Sequence, residues 1–262
     1  MTEIIGYVAC VLIGVILGIL GGGGSILSIP ILVYLFHVDA VMASAYSLFI
    51  VGATSLVGAV SKHKDQLVNI RTGILFGLPS IITIFITRKW IVPVIPDIVA
   101  QSDSFILTKR VLILGIFALL MVLASFSMIK GQKEIENENK RFRVVLVTLE
   151  GMMIGFLTGL VGAGGGFLII PALVLLTGLR FKTAVGTSLF IIAINSLIGF
   201  LGDVLNHEIP WMFLLSVTAL AIVGILLGNR ISHYVSAKFL RKGFGWFVLV
   251  MGCWILAKEL FP

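Results

Sequence analysis

Apolar residues run along this chain in long blocks, with few of the polar interruptions that give a soluble helix or strand a wet face. The blocks cover residues 4–36, 41–61, 70–95 and 105–129, and then 144–177, 184–201, 210–229 and 239–260. Several approach or exceed the roughly 20 residues that a helix needs to cross a bilayer. The pattern predicts an all-α polytopic membrane protein.

Two of these blocks are interrupted in an unusual way. GILGGGGSILSIP, residues 18–30, places four glycines in a row, and GLVGAGGGFLIIP, residues 159–171, does nearly the same. Each glycine weakens a helix by about 1 kcal/mol relative to alanine. A shift of 141 residues superimposes the two stretches without a gap. It pairs Gly14, Gly18, Gly21, Gly23 and Gly24 with Gly155, Gly159, Gly162, Gly164 and Gly165, and Pro30 with Pro171. It also aligns Ser47-Leu48-Phe49-Ile50 with Ser188-Leu189-Phe190-Ile191, and Ser55-Leu56 with Ser196-Leu197. The chain therefore reads as two related membrane repeats, 1–129 and 144–262, joined by the charged run KGQKEIENENKRFR at 130–143. Charge clusters resist burial, so that run is expected to be a solvated cytoplasmic linker.

The first block of each repeat is too long for a single upright crossing. Thirty-three helical residues span roughly 50 Å at 1.5 Å each, against a bilayer core of about 30 Å. Each block is either one strongly tilted helix or two pieces that turn at the glycines. If each crosses once, the loop lysines and arginines divide nine against ten. If each is a hairpin that returns to its starting side, they divide fourteen against five. Cytoplasmic loops carry the Lys/Arg excess, which favours hairpins. The expected fold is two inverted-topology repeats, each a glycine-broken, re-entrant or hairpin helix pair followed by three transmembrane helices, with both termini outside.

A turn within a bilayer leaves backbone groups unpaired and is tolerated only inside protein or against a watery cavity. Glycine permits the turn and lets a ligand or another backbone approach. The helix that restarts beyond it, near Ser25 or Phe167, presents free N–H groups and a positive dipole end, which suit an anion. Gly21, Gly22, Gly23, Gly24 and Ser25, with Gly162, Gly164, Gly165 and Gly166, are the expected substrate-binding turns. Gly14, Gly18, Gly155 and Gly159 have the spacing of helix-packing contacts. GGGGS and GAGGG lack the lysine of a phosphate-binding P-loop.

The helix after each turn carries a polar stripe: Ser44, Ser47, Thr54 and Ser55, then Thr187, Ser188, Asn195 and Ser196. Ser47 and Thr54 lie two turns apart on one face, and Ser188 and Asn195 repeat that spacing. Ser47, Thr54, Thr187, Ser188 and Asn195 are expected to donate hydrogen bonds to the substrate. No Lys or Arg is expected in the middle of a span, so helix ends and neutral donors would carry recognition. Lys62, Lys64, Arg180 and Lys182 are expected at the mouths. Glu150, inside an apolar run, is the candidate for a coupling proton, and Asp203 is expected to be solvated at a helix end.

Composition agrees with this picture. Of 262 residues, 59% are hydrophobic and 12% charged, against roughly 25% charged in soluble domains. The net charge of +7 fits basic cytoplasmic loops better than a nucleic-acid partner. MTEIIGYVAC has no basic n-region, so no removable signal peptide is expected. Cys10 and Cys253 have no metal-ligand spacing. His37, His63, His207 and His233 fall in expected loops without pairing, so no metal and no cofactor are expected.

Two glycine-rich broken blocks ending in Pro30 and Pro171, each followed by a Ser-Leu-Phe run, resemble the sulfite exporter TauE/SafE family of membrane permeases. The resemblance covers essentially the whole chain. It implies a secondary transporter of the cell membrane, moving small sulfur-containing anions such as sulfite, sulfoacetate or other organosulfonates, with a proton or sodium as coupling ion. Such a chain is not an enzyme; no nucleophile–base pair or carboxylate pair stands in the spans. A passive anion channel and a non-transporting membrane partner are the alternatives. Export or import, the coupling ion and a homo-oligomeric state are left open.

Overall fold

Helix boundaries follow the capping residues and the glycine breaks. A computed structural model describes residues 2–22, 24–102, 105–130, 144–162, 164–204, 209–232, 234 and 236–260. Helix α1 spans Thr2–Leu20; α2, Ser25–Pro30, continues as a π-helical turn over Ile31–Leu35. Helix α3 covers Ala40–Lys64, started by the Asp39 carboxylate, which accepts the Val41 N–H at 2.9 Å. Helix α4, Ile70–Ile86, starts where Asn69 Oδ1 accepts the Thr72 N–H at 3.0 Å. Such caps satisfy donors that a helix start leaves open. A second π-helical turn, Thr87–Ile91, carries α4 into the short α5, Val92–Val94. Then come α6 (Lys109–Lys130), α7 (Val144–Val161), α8 (Gly166–Thr177), α9 (Phe181–Val204), α10 (Trp211–Ile231) and α11 (Ala237–Leu260).

Five helical stretches are long and apolar enough to cross a membrane: Ala40–Lys64, Ile70–Val94, Lys109–Lys130, Phe181–Val204 and Trp211–Ile231. With the shorter apolar helices, this is a polytopic, mostly helical membrane protein. The sixth expected crossing, α11, is 24 residues long but carries Lys238, Lys242, Lys258 and Glu259, and stands outside those five. An antiparallel pair, β1 (Ile98–Ser102) and β2 (Phe105–Thr108), occupies what the hydrophobic blocks predict to be a plain connection and the start of a helix. Residues 131–143 of the expected linker, and Gly23, His207 and His233, lie outside the described residues. His63 belongs to the last turn of α3 and not to a loop.

Packing is inside-out relative to a soluble bundle. The polar stripes of α3 and α9 are buried. Ile74, Leu78 and Ile82 of α4, Leu119, Leu123 and Phe126 of α6, and Leu215 and Leu226 of α10 are exposed. Lipid tails solvate such faces as well as a protein core does, so helices in a membrane associate through close backbone approach.

Glycines make that approach possible. Gly14 meets the Ala221 backbone and Gly18 meets Ile225 and Asn229, while Gly224 and Gly228 meet Val11 and Val15. Residue numbers rise together, so α1 and α10 are parallel. Gly151, Gly155 and Gly159 of α7 climb past Phe76, Ser80 and Thr87 in the same sense. The order reverses for α3 against α9, where Gly52 meets Leu197 and Gly58 meets Leu189. It reverses again for α11 against α6, where Gly245 meets Ile129 and Gly252 meets Val122.

Gly14→Ala should lower the melting temperature in detergent, because the new Cβ would strike the Ala221 carbonyl; overpacking of this kind costs about 1–3 kcal/mol. Gly115→Ala in α6 is the control, since nothing lies within 4 Å of its Cβ position. It should melt at or above the wild-type temperature, by up to about 1 kcal/mol of helix propensity.

Candidate functional site

The two glycine stretches end one helix and begin another. After Leu20 the chain turns at Gly21, φ +76°, and α2 starts on Gly24. After Val161 it turns through Gly162, Gly164 and Gly165, at φ +80°, +68° and +67°, and α8 starts on Gly165. These angles favour glycine over every other residue. Neither Gly24 nor Gly165 provides a side-chain cap. Beyond the first turn the chain doubles back along α1: Gly24 packs on Ile13 and Leu17, and Phe36 packs on Gly6 and, ring to ring at 5.3 Å, on Tyr7.

The two turns touch. A Cβ on Gly166 would lie 2.6 Å from the Gly22 Cα, and a Cβ on Gly22 would run into the Gly166 backbone. The meeting point is level with the middle of α3 and α9. Gly164 abuts Val51 and Ser196, and Gly166 abuts Ile192. Gly21 and Gly162 extend to opposite sides of it, beside Val185 near the start of α9 and Ser44 near the start of α3.

The polar stripes divide into engaged and unengaged groups. The Ser47 and Ser28 hydroxyls share a hydrogen bond of 2.5 Å, tying α3 to α2. Thr187 Oγ1 accepts the Asn69 N–H at 2.9 Å. Ser188 Oγ donates to the Val185 carbonyl at 2.8 Å and reaches the Gly21 carbonyl at 3.4 Å. Asn195 Nδ2 donates to Ser80 Oγ at 2.6 Å. Among the described residues, Thr54 Oγ1, Ser55 Oγ, Asn195 Oδ1, Ser196 Oγ and Thr158 Oγ1 are buried with no hydrogen-bond partner. Thr54 and Ser55 lie one turn beyond Val51, on the face that meets the second glycine turn. Thr158 and Ser196 stand against Gly165 and Gly164. Each such orphan costs about 1–3 kcal/mol, and a polar ligand would relieve that cost.

Two charges overturn the expectation of neutral spans. Arg88, on the π-helical turn after α4, is 0% exposed. Its Nη1 donates to Ser44 Oγ at 2.9 Å and pairs with Asp203 at 3.3 Å. Asp203 is buried, not solvated at a helix end. A signal for Asp203 was present: it falls two turns beyond Ser196 on one face of α9. Arg88 had none, since ITRKW reads equally well as the end of a span. Lys62 is also buried and donates to Ser232 Oγ at 3.1 Å, whereas Lys64, Arg180 and Lys182 are exposed. Glu150 is half-buried in α7, and its Oε2 has no hydrogen-bond partner among the described residues. No three metal-ligating side chains cluster among the described residues.

A family model described as Sulfite exporter TauE/SafE matches residues 7–255. The chain belongs to the sulfite exporter TauE/SafE family. It is 27% identical to a probable membrane transporter protein of Xylella fastidiosa over 95% of this chain and 92% of that one. It is 25% identical to the probable membrane transporter protein YunE of Bacillus subtilis, over 97% and 99%. A probable membrane transporter protein of Methanocaldococcus jannaschii is 26% identical over 94% of each chain. No solved structure matches. This TauE/SafE member is thus a multi-pass membrane transporter, of a family that is not an enzyme class.

In this TauE/SafE protein, Gly22→Ala should destabilise by about 1–3 kcal/mol or block folding, since its Cβ would meet backbone that cannot swing aside. Fluorescence-detected gel filtration and melting curves would read the loss; a wild-type profile would refute the contact between the turns.

Proposed function

We propose that this chain is a secondary transporter that exports small sulfur-containing anions such as sulfite or organosulfonates. The anion binds where the two glycine turns meet, and access alternates from one side to the other. The observation that carries this reading is the contact of Gly22 with Gly166 at mid-helix depth, beside orphaned polar atoms at repeat-equivalent positions. The shift of 141 residues pairs Thr54 with Asn195 and Ser55 with Ser196, and each of the four has an unpartnered buried atom. Two glycine helix starts without side-chain caps add N–H donors and positive dipole ends. The sulfur anion comes from the family's description and from oxygen-rich chemistry that such donors suit.

Inverted repeats are the reading that fits the helix directions. The repeat maps α3 onto α9 and α6 onto α11, and both pairs run antiparallel. It also exchanges the α1–α10 contact with the α7–α4 contact, and both of these run parallel. Each glycine-broken pair then forms a hairpin that returns to its own side, which supports the fourteen-to-five division of Lys and Arg and places both termini outside. Broken helices meeting between inverted repeats are a transporter design for midplane binding. Glu150 is the candidate carrier of a coupling proton.

The test is the melting temperature of the purified protein against sulfite, sulfate, thiosulfate, sulfoacetate, taurine, acetate and chloride at matched ionic strength. A ligand that binds only the folded state stabilises it by about 2.7 kcal/mol at a hundred times its Kd. A sulfur oxyanion should raise the temperature selectively, and the double variant Thr54→Val, Asn195→Leu should abolish the rise. An equal response to every anion, or none, would refute the site. Uptake by vesicles against a gradient would separate a coupled transporter from a channel.

A further inference from the structure

Arg88 uses one edge of its guanidinium and leaves another idle. Nη1 carries both contacts, to Ser44 and Asp203. Nε and Nη2 have no hydrogen-bond partner among the described residues, although the side chain is fully buried. These two nitrogens form the side-on edge of the fork, whose N–H bonds run parallel. That edge matches two oxygens of one carboxylate, sulfonate or phosphate group. Nη2 faces the second glycine turn, and a Cβ on Gly162 would collide with it.

Resting on the transport reading above, we infer that Arg88 is an oxyanion-binding residue: its Nε–Nη2 edge takes two oxygens of the transported anion as it passes the Gly162 turn. Asp203 holds the guanidinium through Nη1 and leaves that edge available. The pairing also keeps a buried cation from standing uncompensated in a low dielectric. Because Nη2 packs against Gly162 here, the anion reaches the fork only when the turn shifts, which links substrate arrival to the break in the helix. The site is one-sided. The shift of 141 residues places Asn229 at the position of Arg88, and Lys62 at that of Asp203. The edge also sets substrate class. A sulfite or sulfonate can bridge both N–H bonds, whereas a halide cannot satisfy both along their axes, so the site prefers oxyanions to chloride.

The experiment titrates sulfite and chloride, at matched ionic strength, against the melting temperature of the full chain. Wild type is compared with Arg88→Lys and with the double variant Arg88→Gln, Asp203→Asn. Lysine keeps the charge and loses the fork. It should weaken the sulfite response at least tenfold and leave the chloride response unchanged. The double variant removes both buried charges together, so it should fold and melt near the wild-type temperature while losing the sulfite response. A sulfite response retained at wild-type strength in either variant would overturn the role of Arg88 and leave the midplane site standing. A wild type that fails to respond to sulfite would overturn both. Equal loss of sulfite and chloride responses in Arg88→Lys would reduce Arg88 to a general cation and overturn the two-oxygen assignment.

Discussion

Where Gly22 meets Gly166, two stretches of backbone touch with no side chain between them. The helices around that point depend on the contact. A chain that turns inside a bilayer must bury its unpaired N–H and C=O groups in protein, and here each turn supplies the other's wall. The positive φ angles at Gly21 and Gly162 let the chain leave α1 and α7 sharply enough to arrive there. α3 and α9 then bracket the meeting point, with Val51, Ile192 and Ser196 against the second turn.

The same principle of close backbone approach extends outward. α1 against α10 and α4 against α7 are held at glycine distance by Gly14, Gly18, Gly224 and Gly228, and by Gly151, Gly155 and Gly159. Hydrophobic burial does not drive such contacts in a membrane, so shape and small residues carry the association. That frees the interior for polar side chains. Ser47 and Ser188 spend their hydroxyls on tying turns and helices together, while Thr54, Ser55, Asn195 and Ser196 keep unpaired atoms at the centre. Polar groups bought at that cost are best understood as part of the transport path.

The charged residues break the pseudo-symmetry. The Arg88–Asp203 pair lies beside the Gly162 turn, and the equivalent position near the first turn has Asn229, with a neutral amide. A transporter of two similar halves must still treat its two openings differently if it is to move an anion in one direction. A single buried guanidinium on one side is a physical source of that difference.

Much of this was legible along the chain. The apolar blocks, the repeat and the glycine breaks follow from composition and spacing, because bilayer thickness and glycine's freedom act on local sequence. The stripe from Ser44 to Ser55 and its counterpart from Thr187 to Ser196 could be placed on helix faces for the same reason. Which hydroxyls are engaged could not be read, since Ser28, Ser80 and Asn69 reach their partners across 19, 115 and 118 residues. Nor could the burial of Arg88, which depends on Asp203 arriving from the other repeat. The strand pair at Ile98–Thr108 was hidden inside apolar composition that helix and strand share. Local chemistry determined where the helices break; only the tertiary structure decided what the breaks touch, because contacts between distant segments are set by how whole helices pack.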